Sequence, residues 1–439
     1  MNKRILLLPN DLGGGRGHVS RMLYLAQILK ASGSEAAIVL GSKYAKTAQK
    51  LNIPVFPMDY RWERLLKWQW KRPHIPYHKM TSRIQAPPVF VYFPGLDYQV
   101  PRDGYLSEQI VRFRLKQLQR ICIRFKPDLI IGDTHLLARL LAGRCSLPII
   151  QVTRKAGFPP KPDFLWWQRK IEPIPRPTGI EPFLKEALAL GLDSIQTSED
   201  LLRGDAYLIP SIRQIEPLPG TEALVTYTGP FVSFSERQPI PFFSGRNEYP
   251  NIYVTIGGGT NRGQLAAFFR QIVDVFKQTE FQVLVSTAGK LPAKQLNHTE
   301  HNIRFVDWVH GFSAIAESDF VIFHGGYSST METLLAGKPS LVIPGHTEQE
   351  GNGRRLEKLG VGKTILPYTD LLTPLDFKWT YGTYSMKAAY QLKLNRKQII
   401  NAVHELLYGT AVERVQRLRQ NLIRKQKSFR AESIWSLIG

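Results

Sequence analysis

Short apolar runs, each followed by a helical stretch, recur along the chain, and after one proline-rich break the alternation starts again. In the first half, residues 5–9, 36–41, 53–56, 128–132 and 148–153 read as strands, with helices over about 19–32, 105–125 and 136–145. Strands that alternate with helices pair side by side through right-handed crossovers, which gives a doubly wound, parallel α/β sheet. The stretch from Thr228 to Pro241 holds three prolines and no helical period, marking a linker near 229–248. Beyond it the pattern resumes, with strands at 252–256, 282–287, 303–305, 320–323 and 340–344. The expectation is an α/β protein of two Rossmann-like domains, 1–235 and 236–408, facing each other across a cleft. Basic helices follow over 409–439.

Composition narrows the class. With 43% apolar and 21% charged residues, the chain is globular rather than disordered. No stretch long enough to span a bilayer, ~20 mostly apolar residues, is free of charged side chains. The apolar run after Arg4 stops at Pro9-Asn10-Asp11, short of the ~7–15 residues of a signal-peptide core, so it reads as a buried strand. Two cysteines, Cys122 and Cys145, are too few for a disulfide framework or a multi-cysteine metal site. A reducing, cytoplasmic setting is the simplest one. The charge is the anomaly. Against 36 acidic residues stand 58 basic ones, a net +22 that favours an anionic partner.

The most informative stretch is 324–352, His-Gly-Gly-Tyr-Ser-Ser-Thr-Met-Glu-Thr-Leu-Leu-Ala-Gly-Lys-Pro-Ser-Leu-Val-Ile-Pro-Gly-His-Thr-Glu-Gln-Glu-Gly-Asn. A strand ends at His324, glycines 325 and 326 let backbone come close to a ligand, and Ser328-Ser329-Thr330 open a helix. Unpaired N–H groups at a helix start, with hydroxyls and the helix dipole, suit a diphosphate. One turn further in, Glu332 can reach a ribose diol. Gly337-Lys338-Pro339 stops the helix, and Glu348-Gln349 then lie on a loop at the carboxyl edge of the next strand, where open α/β sheets bind ligands.

This stretch resembles the donor-binding motif of the inverting, GT-B-type glycosyltransferases that use nucleotide diphosphate sugars, roughly H-x-G-x-N/G/S-S/T-T-x-E, then G-x-P, then P-x-x-x-D/E-Q-x-x-N. The resemblance reaches the family 1 UDP-glycosyltransferases and the peptidoglycan lipid-linked N-acetylglucosaminyltransferase. It implies that His324, Gly326, Ser328, Ser329 and Thr330 hold the diphosphate, Glu332 the ribose, and Glu348 with Gln349 the sugar hydroxyls. Phe305-Val306-Asp307-Trp308-Val309-His310 looks like the base-binding segment, with Trp308 over the base and Val309 beside it. The usual Pro-Gln is replaced there by His310-Gly311. UDP leads, with TDP and GDP as rivals. Gly258, Gly259 and Thr260, in a second strand-to-helix turn, would approach the phosphates from the other side.

In the first half, Gly13-Gly-Gly-Arg-Gly-His-Val-Ser-Arg21 forms a glycine-rich turn ending in a histidine. An inverting transfer needs a base for the acceptor hydroxyl, and a histidine with an ordinary pKa of ~6.5 suits that role. A carboxylate on the other ring nitrogen would fix its tautomer. His18 is the expected base and Asp133 its partner, with Asp11 and His135 as rivals. Gly15, Arg16 and Gly17 would line the acceptor side. The glycine-rich turn matches the resemblance, but the usual proline after the histidine is replaced by Ser20-Arg21. No Asp-x-Asp motif stands near the donor stretch, so the resemblance implies neither a metal nor a cofactor beyond the donor sugar.

Two features concern partners. Arg61-Trp-Glu-Arg-Leu-Leu-Lys-Trp-Gln-Trp-Lys-Arg72 and Trp166-Trp167-Gln-Arg-Lys170 interleave tryptophans with cations, and the tail 411–430 sets seven basic residues against Glu413 alone. Such patterns fit a peripheral enzyme on the anionic inner face of a membrane, acting on a lipid-linked acceptor alcohol. They equally fit an apolar soluble acceptor with a solvated basic face; a nucleic-acid acceptor is disfavoured. The aromatic stretch 368–394 reads as a surface insertion. A nucleotide-sugar epimerase of the same build, or a non-catalytic lipid- or polyanion-binding protein, are the alternatives to transfer.

Overall fold

The computed structural model describes residues 3–12, 16–58, 88–159, 164–165, 179–218, 220, 223–232, 239–243, 249–257, 264–296, 298–369 and 371–438. The first half supplies β1 (Arg4–Pro9), β2 (Glu35–Gly41), β3 (Val55–Met58), β4 (Phe90–Tyr92), β5 (Leu129–Asp133), β6 (Ile149–Val152), β7 (Ala206–Ile209) and β8 (Leu224–Tyr227). All but β4 form one parallel seven-stranded sheet in the order β3-β2-β1-β5-β6-β7-β8. The second half supplies β9 (Asn251–Thr255), β10 (Gln282–Ser286), β11 (Ile303–Val306), β12 (Phe320–Phe323), β13 (Ser340–Val342) and β14 (Gly362–Thr364). These six are also parallel, in the order β11-β10-β9-β12-β13-β14. Strands as apolar as Ile5-Leu6-Leu7-Leu8, buried throughout, belong in sheets covered on both faces.

Each sheet reverses its strand order once, between β1 and β5 and between β9 and β12. Helices leave in opposite directions from such a point and open a crevice at the carboxyl ends of the strands. Pro9 is in register with Asp133, and Thr255 with Phe323. Chain leaving β1 and β5 therefore meets at one crevice, and chain leaving β9 and β12 at the other.

Three boundaries differ from the sequence reading, each for a local reason. The helix after β1 starts at Arg16 and runs to Ala31, so His18 stands in its first turn rather than in the glycine turn. Asp133 is the last residue of β5. Glu348 and Gln349 open the helix Thr347–Lys358 instead of lying on a loop. Gly351 and Gly353 disguise that helix in the sequence. They are needed because a Cβ at 351 would sit 1.8 Å from the Phe164 carbonyl, and one at 353 would sit 2.8 Å from Val342 Cβ.

The stretch 368–394 is not a surface insertion. β15 (Thr373–Trp379) and β16 (Gly382–Ala389) form a hairpin, and β16 pairs antiparallel with β4 of the first half. Trp379, Tyr384 and Met386 lie buried in the same apolar cluster as Val91, Phe93, Leu115 and Leu118. The Thr380 hydroxyl donates to the Leu106 carbonyl at 2.7 Å. Second-half sequence thus completes first-half core. The chain crosses back once more at its end. After the helix Ala411–Ser428, Ala431 and Ile434 are buried against β1 and β2 residues, and the Gln426 amide donates to Tyr24, Pro230 and Val232 oxygens.

Candidate active site

The two crevices face one another and enclose a cleft of about 1060 Å³. Its first-domain wall carries His18, whose Nδ1 is 2.8 Å from Asp133 Oδ1. Asp133 is fully buried, while the His18 side chain keeps 28% of its surface exposed toward the cleft. In the tautomer in which Asp133 accepts from Nδ1–H, Nε2 keeps its lone pair, the form a base requires. Neither rival takes this place. Asp11 accepts the Gly41 backbone N–H, and His135 is buried away from the cleft, where desolvation pushes it down to about 4.

A residue that the sequence reading did not assign completes the arrangement. Arg21, one helical turn after His18, donates Nε to Asp133 Oδ2 at 3.0 Å and Nη2 to Oδ1 at 2.8 Å. Burial alone would raise the Asp133 carboxyl, but Arg21 and His18 hold it well below the usual carboxylate range. His18 is itself lowered, by burial and by the Arg21 and Arg154 charges, against the pull of Asp133. The i,i+3 spacing of His18 and Arg21 on one helix face is the signal that could have revealed the pair.

The second-domain wall is the helix Tyr327–Ala336, whose first turn brings Ser328 and Ser329 into the cleft. Its approach to the first domain is close: a Cβ on Gly17 would lie 2.9 Å from Ser328 Oγ. The Tyr327 hydroxyl fixes this contact by donating to the Pro210 carbonyl at 3.1 Å. The His324 ring is held between glycines. A Cβ at Gly257 would meet its Cε1 at 2.3 Å, and one at Gly326 would meet its Nε2 at 2.3 Å. The helix ends at Gly337, left-handed at φ +71°.

Glu332 also lines the cleft, and burial pushes its carboxyl up to about 7. Trp308, 60% exposed, stands on the rim with Val309 beside it, and the Arg16 guanidinium lies 5.0 Å above its ring. Glu348 reaches the cleft and pairs with Arg154, which follows β6 in the first domain. Arg154 also stacks over Tyr327 at 4.6 Å. Two predicted contacts point elsewhere. Thr330 donates its hydroxyl to the Gly326 carbonyl at 3.0 Å, and Gln349 is buried, its side-chain oxygen accepting from Gly345 N–H at 2.8 Å. Gly15, Gly258, Gly259 and Thr260 lie outside the described residues, as do the tryptophan-rich segments 61–72 and 166–170. Among the described residues no cluster of three or more His, Cys, Asp or Glu side chains is placed to hold a metal.

The two facing α/β domains have the GT-B build of solved glycosyltransferases, and likeness to a glycosyltransferase family model and to curated glycosyltransferases makes the chain a glycosyltransferase. Residues 252–378 match the glycosyltransferase family 28 C-terminal domain, and the chain is akin to NDP-glycosyltransferases. It is 24% identical over 361 residues to the NDP-glycosyltransferase YjiC of Bacillus licheniformis, covering 80% of this chain and 83% of that one. It is 25% identical over 368 residues to a PGL/p-HBAD biosynthesis glycosyltransferase of Mycobacterium tuberculosis, covering 79% and 77%. The fold matches the calicheamicin glycosyltransferase CalG4 with a TM-score of 0.68 at 18% identity, over 100% of this chain and 99% of that one. The spinosyn rhamnosyltransferase SpnG, in complex with thymidine diphosphate, matches at 0.61 and 14% identity, over 96% of each.

Proposed function

We propose that the chain is an inverting, metal-independent transferase that moves a hexose from a UDP-sugar to an acceptor hydroxyl, with His18 as general base. The observation that carries this reading is the His18–Asp133 pair set across one cleft from the start of the helix Tyr327–Ala336. His18 Nε2 would take the hydroxyl proton as the acceptor oxygen attacks the anomeric carbon from the face opposite the diphosphate. The bond from that carbon to the diphosphate oxygen breaks, and the sugar inverts. The leaving diphosphate gains negative charge, which the helix N–H groups, the Ser328 and Ser329 hydroxyls and His324 would stabilise.

The acceptor is proposed to be apolar or amphipathic, lipid-linked alcohols included. On its side of the cleft stands Tyr98, stacked on Phe93 at 3.7 Å between ring centroids, and Phe93 in turn stacks on His346. The relatives' names, which mention calicheamicin, spinosyn aglycone and PGL/p-HBAD biosynthesis, support the same acceptor class. No helix among the described residues is long and apolar enough to cross a membrane. The exposed Arg417, Arg424 and Lys427, on one face of the last long helix, suit the anionic inner surface of a membrane, where we place the enzyme as a cytoplasmic, peripheral protein.

Calorimetric titration with UDP, TDP and GDP tests the donor half of this reading. UDP is expected to bind best, and His324→Ala to weaken it by about ten- to a hundredfold, as loss of a charge-assisted hydrogen bond would. Preference for TDP would change the donor and keep the class; no binding by any of the three would end the transferase reading. Incubation with UDP-sugars and candidate acceptors, with the anomeric configuration read by proton NMR, tests inversion. Turnover of UDP-sugar without any acceptor would favour an epimerase.

Glu332 makes nucleotide affinity depend on pH. An ionised carboxylate accepts from both ribose hydroxyls, whereas the protonated acid gives up one acceptor. Because its carboxyl titrates near 7, affinity is expected to rise between pH 6 and 8, and Glu332→Gln to flatten the rise. A slope unchanged in the variant would assign the titration to another group.

A further inference from the structure

We infer that Arg21 is a positioning residue of the base, which neutralises Asp133 and thereby keeps His18 unprotonated and ready to accept a proton in weakly acidic conditions. The inference rests on His18 being the base. Three hydrogen-bond donors converge on Asp133 Oδ1: His18 Nδ1 at 2.8 Å, Arg21 Nη2 at 2.8 Å and Thr134 Oγ1 at 3.2 Å. Oδ2 is taken by Arg21 Nε. The fork fixes the plane of the carboxylate, and the carboxylate fixes the imidazole. Arg21 is almost fully buried and its guanidinium also lies 5.4 Å from the Tyr327 ring, so both domains hold it in place.

The charge balance around His18 gives the device its sign. A histidine paired with a lone aspartate is stabilised as imidazolium, which raises its proton affinity. Here the aspartate charge is shared with a guanidinium in contact, and Arg21 Nη2 stands 2.8 Å from Nδ1 itself. Among the described residues the cleft also holds Arg154, balanced by Glu348 and by buried Glu216, Arg102 paired with Asp103, Glu332 with Arg16, and Arg304, His310, His324 and His346. His18 is displaced downward from the ordinary histidine value, first by burial, with Asp133 pulling it up and the Arg21 and Arg154 charges pushing it down.

The test uses the full chain. The His18 imidazole is titrated by NMR, its signal assigned from the His18→Ala spectrum, beside the pH profile of kcat/KM. In the unchanged protein His18 is expected to titrate below the ordinary value of 6.5. In Arg21→Gln, both the NMR titration and the acid limb of kcat/KM are expected to move up by about one pH unit or more, with nucleotide affinity unaltered. A purely structural role would lower activity at every pH and leave the limb where it was. His18 titrating above 6.5 in the unchanged protein, or a folded Arg21→Gln in which neither reading moves, overturns the inference. The first of these needs no variant, so misfolding of Arg21→Gln would leave the idea open to refutation. Should His18→Ala retain transfer, the base assignment falls instead, while the NMR titration still reports what Arg21 does to His18.

Discussion

His18→Ala is expected to lower kcat by about 10²–10⁴-fold, the contribution of a positioned general base, while UDP affinity stays within about twofold. The separation follows from the architecture. His18 belongs to the first-domain crevice, and the groups proposed to hold the diphosphate belong to the second. The variant should also fold, because Asp133 keeps its two bonds to Arg21 and its bond to Thr134 when the imidazole is gone. Steady-state kinetics beside calorimetry checks both halves. Lost nucleotide binding with turnover retained would reverse the assignment of roles between the domains. Residual turnover is expected even in the variant, since charge stabilisation of the leaving diphosphate does not depend on the base.

Tyr384→Ala is expected to destabilise the protein by about 3–5 kcal/mol, the cost of emptying a large aromatic site in a packed core. Tyr384 is 1% exposed, within the cluster that also contains Trp379, Met386, Phe93 and Leu115. The loss should be localised. Hydrogen exchange is expected to show weakened protection at β4 and in the neighbouring segment 96–102, far along the sequence from the substitution. Acceptor KM should rise more than nucleotide affinity falls, because Tyr98 and Phe93, on the side proposed for the acceptor, pack on the same cluster. A change within about 0.5 kcal/mol would instead mark the hairpin as a surface feature.

Legibility in the sequence followed from how local each signal was. The proposed donor stretch is contiguous, so its glycines, its hydroxyls and Glu332 can be assigned to a turn and a helix start from residue order alone, whereas Gly351 and Gly353 hide the helix that Glu348 opens. The doubly wound order is legible in the same way, through continuous apolar strands such as 5–9. Long-range pairing leaves no such trace. β16 pairs with β4 with Lys387 in register with Tyr92, residues nearly three hundred positions apart, and its aromatics read as a surface insertion. Arg21 shows in the sequence as a departure from an expected proline and as a cation three residues after His18. Its purpose needs β5 to deliver Asp133 alongside β1. Arg154 carries no motif at all; only its place just past β6 brings it to Glu348. Gln349 shows the opposite failure, a residue inside a recognisable motif whose side chain turns inward to the Gly345 amide.

The hairpin β15–β16 also bears on how such enzymes can be recombined. Transferases with two domains invite the exchange of one donor half for another, with the cut made in the linker. In this chain a cut near 236 would carry away Trp379, Tyr384 and Met386, and with them part of the apolar filling beneath β4. The recipient half would be left with a hole where its partner's hairpin had been, and the donated hairpin would arrive shaped for another core. A hybrid built on this scaffold therefore has to move β4 and its surroundings together with 373–389, or keep both native.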